Sequence, residues 1–375
     1  MRGLCLLVGA MTLGSPAAAQ TLDGVESRLF TTRDFRLESG GVLPELTLAY
    51  ETYGTLAADG RNAVLATHGY SSSHHVAGRY RAGGAPKGLK AEDLGSWDKL
   101  IGPGKAIDTD RLYVVSSNML GSAYGSTNPA AINPKTGKPY GPDFPRITVA
   151  DIVRAQKALL DHLGVKHLVA VAGPSYGGYQ AFQWAVTYPD FMRGIVPVVT
   201  APKSIGGPAA TQALIEQLAR DPNWNGGWYY DNGGVPKALT RLRVATLKRY
   251  GIEAQLAARH ADPAQREAAI GKVAEPWVKT FDANSLVVLR RALETFDTTP
   301  QFPRIKAKVL YVISRTDKLF PPAIVPDVMQ ALKGAGVDAR YVEIDSELGH
   351  LASGLDGEKW APALGTFMAE LMGQS

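Results

Sequence analysis

An unbroken apolar run, His167-Leu-Val-Ala-Val-Ala172, leads into Gly173-Pro-Ser-Tyr-Gly177, and Tyr179-Gln-Ala-Phe-Gln-Trp-Ala-Val-Thr-Tyr188 follows with helical spacing. A strand apolar on both faces belongs inside a parallel sheet. Strand, G-x-S-x-G and helix in that order predict a nucleophile elbow. The glycines are required because the turn is too tight for side chains beside the serine. Such a reversal lifts the Ser175 hydroxyl above the carboxyl edge of the sheet. It also aims the amide of Tyr176, at the helix start, at a reacting carbonyl. The plainer alternative is a glycine-rich turn with an incidental serine, and the flanking strand and helix argue against it.

The surrounding chain supplies a sheet for that elbow. Leu46 to Tyr53, Ala63 to Thr67, Arg111 to Ser116 and Gly194 to Val199 read as strands. Thr148 to Leu163 reads as a helix, with Thr148 as N-cap and Asp151 in its first turn. The loop from Asn118 to Pro145 is too long to be a mere connector. Between about residues 201 and 300 strand-like runs vanish, and helical segments such as Ala209–Arg220 and Pro236–Tyr250 replace them. Alternation resumes at Ala307–Ser314 and Asp338–Asp345, and Glu358 to Met372 closes as an amphipathic helix. The expected fold class is α/β, a mostly parallel sheet with helices on both faces and an inserted helical lid over the edge where such sheets bind ligands.

The N-terminus reads as a signal peptide. Arg2 precedes an apolar stretch from Gly3 to Leu13, and Ala17-Ala18-Ala19 offers a small-residue cleavage site. The expected organisation is 1–19 signal peptide, 20–200 first part of the core, 201–300 lid and 301–375 second part of the core. The expected location is periplasmic or secreted. The sole cysteine, Cys5, falls in the signal, which excludes disulfide or thiol chemistry from the mature chain. Cleavage removes one arginine and no acid, so net charge falls from +5 to +4. With no dense basic run, neither nucleic acid nor membrane is expected as a partner.

A serine nucleophile needs a base, and that base needs an orienting acid. In α/β-hydrolases these follow in the order serine, acid, histidine, each just after a strand. His350 lies five residues beyond Asp345, and Asp317 three beyond Ser314. Asp345 and Glu347 compete as the acid, but their closeness to His350 suits them better to orienting its loop. The second oxyanion donor should follow Ala63–Thr67, which selects the amide of Tyr70 to partner that of Tyr176. His68, His74 and His75 sit in that loop without carboxylate or cysteine company at ligand spacing. They are read as packing and hydrogen-bonding residues, with no metal and no cofactor expected.

Longer stretches carry a more specific likeness. Gly102-Pro-Gly-Lys-Ala-Ile-Asp-Thr-Asp-Arg111, Ser117 to Asn128, Ile132 to Pro145, Asp151-Ile-Val-Arg-Ala-Gln156 and Asp221-Pro-Asn-Trp-Asn-Gly-Gly-Trp-Tyr229 resemble the homoserine O-acetyltransferase family of α/β-hydrolase-fold enzymes, from about Phe35 to the C-terminus. The resemblance implies ping-pong acyl transfer, with Ser175 taking the acyl group and His350 and Asp317 activating first the serine and then the acceptor. It also implies that Arg243 and Tyr250, seven residues apart, grip an amino-acid acceptor. The alternative for Arg243 is an ordinary basic face shared with Arg241, Lys248 and Arg249. Family members are often dimers, so a homodimer is one option for this chain.

Three departures alter the expectation. Tyr176 stands where the family usually has methionine, and Tyr70 where it commonly has leucine. Leu351 stands where the family places an aspartate that binds the homoserine amine. Loss of that carboxylate, together with export away from acyl-CoA, points to water, or an unknown alcohol, as acceptor. The leading expectation is therefore a secreted serine esterase cleaving small-molecule acyl esters through an acyl-enzyme on Ser175. The alternative is a homoserine O-acetyltransferase-like acyltransferase using a small hydroxyl acceptor. A non-catalytic binding protein is a third reading, opposed by the presence of Ser175, Asp317 and His350.

Overall fold

The computed structural model describes residues 22–373, so the expected signal segment 1–19 lies outside the described residues. In chain order the strands are β1 (Arg28–Arg36), β2 (Val42–Tyr53), β3 (Ala63–Ala66), the two-residue β4 (Ile101–Gly102) and β5 (Ile107–Asp108), β6 (Tyr113–Ser117), the two-residue β7 (Ile132–Asn133) and β8 (Lys138–Pro139), β9 (Leu168–Pro174), β10 (Met192–Val198), β11 (Lys308–Ser314) and β12 (Ala339–Ile344). Eight of them form one sheet in the order β1-β2-β6-β3-β9-β10-β11-β12. The first two pairings are antiparallel and the remainder parallel. All five parallel neighbours from β3 to β12 therefore end on one edge, and the loops leaving that edge carry Ser175, Asp317 and His350.

The helices are α1 (Val149–His162), α2 (Tyr176–Thr187), α3 (Gly207–Ala219), α4 (Pro236–Tyr250), α5 (Ile252–Ala257), α6 (Pro263–Val278), α7 (Ala283–Arg291), α8 (Val325–Gly334), α9 (Ala352–Leu355) and α10 (Ala361–Met372). Side chains alternate across the central strands, which is why these strands are apolar throughout. Leu65, Val171 and Ile195 face a core closed by α1, α2 and α8, with Ile152, Phe182 and Val328 packed there. Val64, Ala170 and Val196 face the opposite core, closed by Leu364, Phe367 and Leu371 of α10. Helix α1 starts where the sequence places it: the Thr148 side chain accepts from the Asp151 amide, and Asp151 answers on the Thr148 amide. Helices α3 to α7 all fall between β10 and β11; α3, α4, α6 and α7 pack on a third cluster that includes Leu218, Leu239, Trp277 and Leu286, while α5 packs through Ile252 and Leu256 on a fourth with Leu247 and Ile270.

Several boundaries differ from the sequence reading. Strand β1 was not anticipated, because an edge strand with one exposed face carries Arg28, Thr31, Arg33 and Asp34 in place of an apolar run. Helix α2 begins at Tyr176, three residues earlier than the apolar pattern suggests, since its first turn contains Gly177 and Gly178. The closing helix begins at Ala361, with Pro362 in its first turn, and a separate short turn covers Gly357–Lys359.

A methyl group on Gly173 would lie 2.0 Å from Thr67 Oγ1 and 2.7 Å from the Thr67 carbonyl, whereas one on Gly271 in α6 would meet nothing within 4 Å. Gly173→Ala should lose about 3 kcal/mol by overpacking against backbone that cannot yield. Gly271→Ala should gain roughly 0.5–1 kcal/mol from helix propensity. Urea unfolding midpoints check both, and equal effects would contradict this packing of the elbow.

Candidate active site

Ser175 sits at φ 57° and ψ −117°, a left-handed backbone that costs a non-glycine residue roughly 1–3 kcal/mol. Its surroundings over-determine that conformation. The Ser175 amide donates to Val198 O at 2.8 Å, and the amides of Gly178 and Tyr179 donate to Ser175 O. Thr200 Oγ1 donates to the same carbonyl at 2.7 Å. On the other side Thr67 Oγ1 donates to Gly177 O at 2.9 Å, in space only glycines leave open. As the first residue of α2, Tyr176 presents an amide with no intrahelical acceptor.

Asp317 is buried at the end of β11, where its Oδ1 accepts the amides of Leu319 at 2.8 Å and Phe320 at 3.2 Å. Its Oδ2 lies 2.8 Å from His350 Nδ1. Since the carboxylate only accepts, Nδ1 carries the proton, and the neutral ring keeps its Nε2 lone pair free. Tyr250 and Phe320 flank the imidazole, with ring centroids 4.7 and 5.8 Å away. Asp345 and Glu347 both turn outward to Arg315 at the surface. Of the three acids weighed from sequence, the structure brings Asp317 alone to the imidazole.

The loop after β3 passes directly over the serine. A methyl group built on Gly69 would lie 3.8 Å from Ser175 Cβ, so the Gly69–Tyr70 peptide borders Ser175. His68 secures that peptide. Its Nε2 accepts the Met119 amide at 3.1 Å, which leaves Nδ1 to donate to Gly69 O at 2.9 Å. Burial pushes the pKa of this ring down to about 3. Farther along, His75 Nδ1 faces Glu51 Oε2 at 3.1 Å and its Nε2 faces Asp93 O at 3.1 Å. With an acceptor on each side the ring carries both protons. Burial alone would lower its pKa, but the bond to Glu51 and that carboxylate's charge raise it. His74 Nε2 takes Ser27 Oγ at 2.8 Å, and burial lowers its pKa. All three loop histidines are thus engaged with protein groups.

Ser175, His350, Tyr70, Tyr250 and Leu351 line one cavity of about 270 Å³, whose walls also include Ser71, Val76 and Trp97. Asp317 lies behind His350, and the Tyr176 side chain is buried away from the opening. Arg243 stands beside the cavity on α4. Its Nη1 donates to Ser71 Oγ at 3.0 Å, and the guanidinium lies 4.9 Å over the Trp277 ring. Among the described residues no carboxylate comes within ion-pair reach of Arg243, and its buried Nε has no partner. Ser71 and Trp277, whose Nε1 donates to Ser71 O at 3.0 Å, were missed from sequence. Ser71 carries a signal in hindsight, as the neighbour of Tyr70; Trp277, one tryptophan in a helical block, carries none.

Comparison with known proteins gives a consistent picture. The sequence profile of the alpha/beta hydrolase fold family matches residues 63–355. A homoserine O-acetyltransferase of Symbiobacterium thermophilum is 39% identical over 358 residues, covering 89% of this chain and 92% of the relative. Among solved structures, esterase E22 superposes with a TM-score of 0.81 at 32% identity, covering 92% of this chain and 100% of that one. Homoserine O-acetyltransferase from Bacillus anthracis also gives 0.81, at 30% identity, covering 92% and 98%.

Asp317→Asn should lower kcat by about 10⁴-fold through loss of the imidazole tautomer. Asp345→Asn and Glu347→Gln should stay within about threefold, as expected of exposed pairs. Steady-state assays of an activated short-chain ester decide this, and a crippling effect at either surface acid would displace Asp317. The histidines also set a pH dependence of stability. From pH 6.5 down towards 3, the unfolded chain takes up protons that the folded His68 refuses, so stability falls with acid. Above pH 6.5 the folded His75 keeps a proton that the unfolded chain releases, so its own contribution is lost as pH rises through its raised pKa. Urea melts at pH 5 and 6.5 should therefore show stability falling with acid, the lowered His74 and His167 adding to the slope, and His68→Gln should flatten it.

Proposed function

This chain belongs to the homoserine O-acetyltransferase family of α/β-hydrolase-fold enzymes, and on that footing we propose that it passes an acyl group through Ser175 to a small hydroxyl acceptor bearing a carboxylate. The coarser statement needs no proposal: the chain is an α/β-hydrolase of the acyltransferase and esterase type. Between the two, the relatives favour acyl transfer over the ester hydrolysis that the sequence put first.

The observation that carries acyl transfer is Arg243. A half-buried guanidinium with no acid beside it is costly unless an anionic ligand completes it. Its fork suits a carboxylate, and Tyr250 lies between it and the imidazole side of the cavity. In the first half-reaction His350 Nε2 takes the Ser175 hydroxyl proton as Oγ attacks the acyl carbonyl. Asp317 stabilises the resulting imidazolium, and the amides of Tyr70 and Tyr176 receive the oxyanion. His350 then protonates the departing oxygen or sulfur. In the second half-reaction the acceptor hydroxyl gives its proton to His350 and attacks the acyl carbonyl; the acyl–Oγ bond then breaks, and His350 returns the proton to Ser175 Oγ. Residues 201–300 serve as the lid that holds the acceptor. Export, read from residues 1–19, and a homodimer belong to the same proposal.

A second reading, hydrolysis, is favoured by Leu351. This side chain lines the cavity and packs beside Leu247, Ile252 and Leu256, so it presents hydrocarbon where a homoserine ammonium needs a carboxylate. The lost charge-assisted bond is worth roughly 1.5–3 kcal/mol, about ten- to a hundredfold in acceptor affinity. Water then competes for the acyl-enzyme.

The protein should be given acetyl-CoA or an activated acetyl ester, with and without homoserine, while O-acetylhomoserine and free acetate are measured. Transfer should rise with homoserine at the expense of acetate. Arg243→Ala should cut transfer by about ten- to a hundredfold and change hydrolysis of neutral esters by less than about threefold. Leu351→Asp should raise the transferred fraction roughly tenfold. Acetate as sole product at every homoserine concentration would overturn transfer and leave the esterase reading. Ser175→Ala should abolish both products.

A further inference from the structure

The two residues proposed to supply the oxyanion donors also reach helix α7 with their side chains. Tyr70 Oη donates to Leu286 O at 2.5 Å, and Tyr176 Oη donates to Leu289 O at 3.1 Å. Both carbonyls belong to α7, one turn apart, and the two rings run parallel at 8° with centroids 6.0 Å apart. The Leu289 carbonyl lies in the last turn of α7, where the Leu293 amide turns to Arg290 O instead. Burial raises the pKa of both phenols, so both remain donors across the working pH range.

Helix α7 is a firm anchor. Asp282 caps it by accepting from the Ser285 amide and hydroxyl, and the same carboxylate accepts from the Tyr229 and Tyr230 hydroxyls. One turn of the lid therefore holds the loop after β3 and the first turn of α2 together. A leucine or methionine at either position would have no hydroxyl to give.

We propose that Tyr70 and Tyr176 are positioning residues that clasp the oxyanion hole to lid helix α7, so that the spacing of its two donor amides is set by the lid rather than by the elbow alone. The proposal rests on the acyl-Ser175 reading above. Hole donors act at full strength only when held at 2.7–3.1 Å from the developing oxyanion, and small displacements lower kcat without weakening ground-state binding.

The test uses Tyr70→Phe, Tyr176→Phe and the double variant of the full chain, which keep the rings and delete the hydroxyls. Measurements are kcat and KM on an activated ester and inhibition by butylboronic acid, whose tetrahedral adduct on serine places an oxygen in the hole. Each single variant should lose on the order of tenfold in kcat with KM within about twofold, and the boronate should weaken in parallel. The double variant should lose less than the product of the singles, because both bonds hold the same helix turn. Double-variant kcat within about twofold of the parent, or a rise in KM alone, overturns the clasp. Should Tyr176→Phe fail to fold, Tyr70→Phe decides alone, since its hydroxyl reaches α7 independently. Fluorophosphonate labelling of the unsubstituted chain separates the two levels: no labelling at Ser175 sinks the acyl-serine reading itself, whereas labelling with unchanged Tyr→Phe kinetics sinks only the clasp.

Discussion

The rest of the structure depends on how closely the turn after β9 approaches Thr67. With Gly173 and Gly177 against that residue and Gly178 against Thr200, two strand ends grip the elbow from either side. This contact holds Ser175 at positive φ, and the strain there is spread over the amide and hydroxyl bonds that converge on its carbonyl. Because β3, β9 and β10 are parallel neighbours, tightening any one of them fixes Ser175 relative to the loops from the other two.

Polar groups around the site are arranged by what each loop must satisfy. The loop after β3 is tied down by histidines in two different protonation states, His68 neutral and His75 charged, because one faces an amide donor and the other faces two acceptors. Asp317 spends one oxygen on the amides of its own loop and the other on His350, so the acid is oriented before any substrate arrives. Arg243 is the exception. Its desolvated charge is only partly met by Ser71 and the Trp277 ring, and that shortfall is the ground for the proposed carboxylate-bearing acceptor.

The helices inserted between β10 and β11 do more than enclose their own core. Helix α4 brings Arg243 and Tyr250 to the cavity, while α7 offers carbonyls to the two tyrosines of the oxyanion region. Leu351, on the core side, faces the same space with an apolar surface. An unpaired guanidinium opposite a hydrocarbon wall is the physical tension between the transfer and hydrolysis readings.

Local sequence determined the elbow, the alternation of strands and helices, the capping of α1 and the order of serine, acid and histidine, because each depends on residues near in the chain. The edge strand β1 escaped, since its pairing with β2 depends on a partner rather than on its own polar pattern. Tertiary structure added what spacing could only argue for Asp317 over Asp345 and Glu347: Asp317 is buried against His350, while the other two turn outward to Arg315. It likewise lifted Arg243 out of a run of basic residues by stacking it on Trp277, thirty-four positions away, and it joined two tyrosines 106 residues apart in sequence to one helix turn. Those outcomes turn on distance through space and on loss of water, and neither is written in the spacing of residues along a chain.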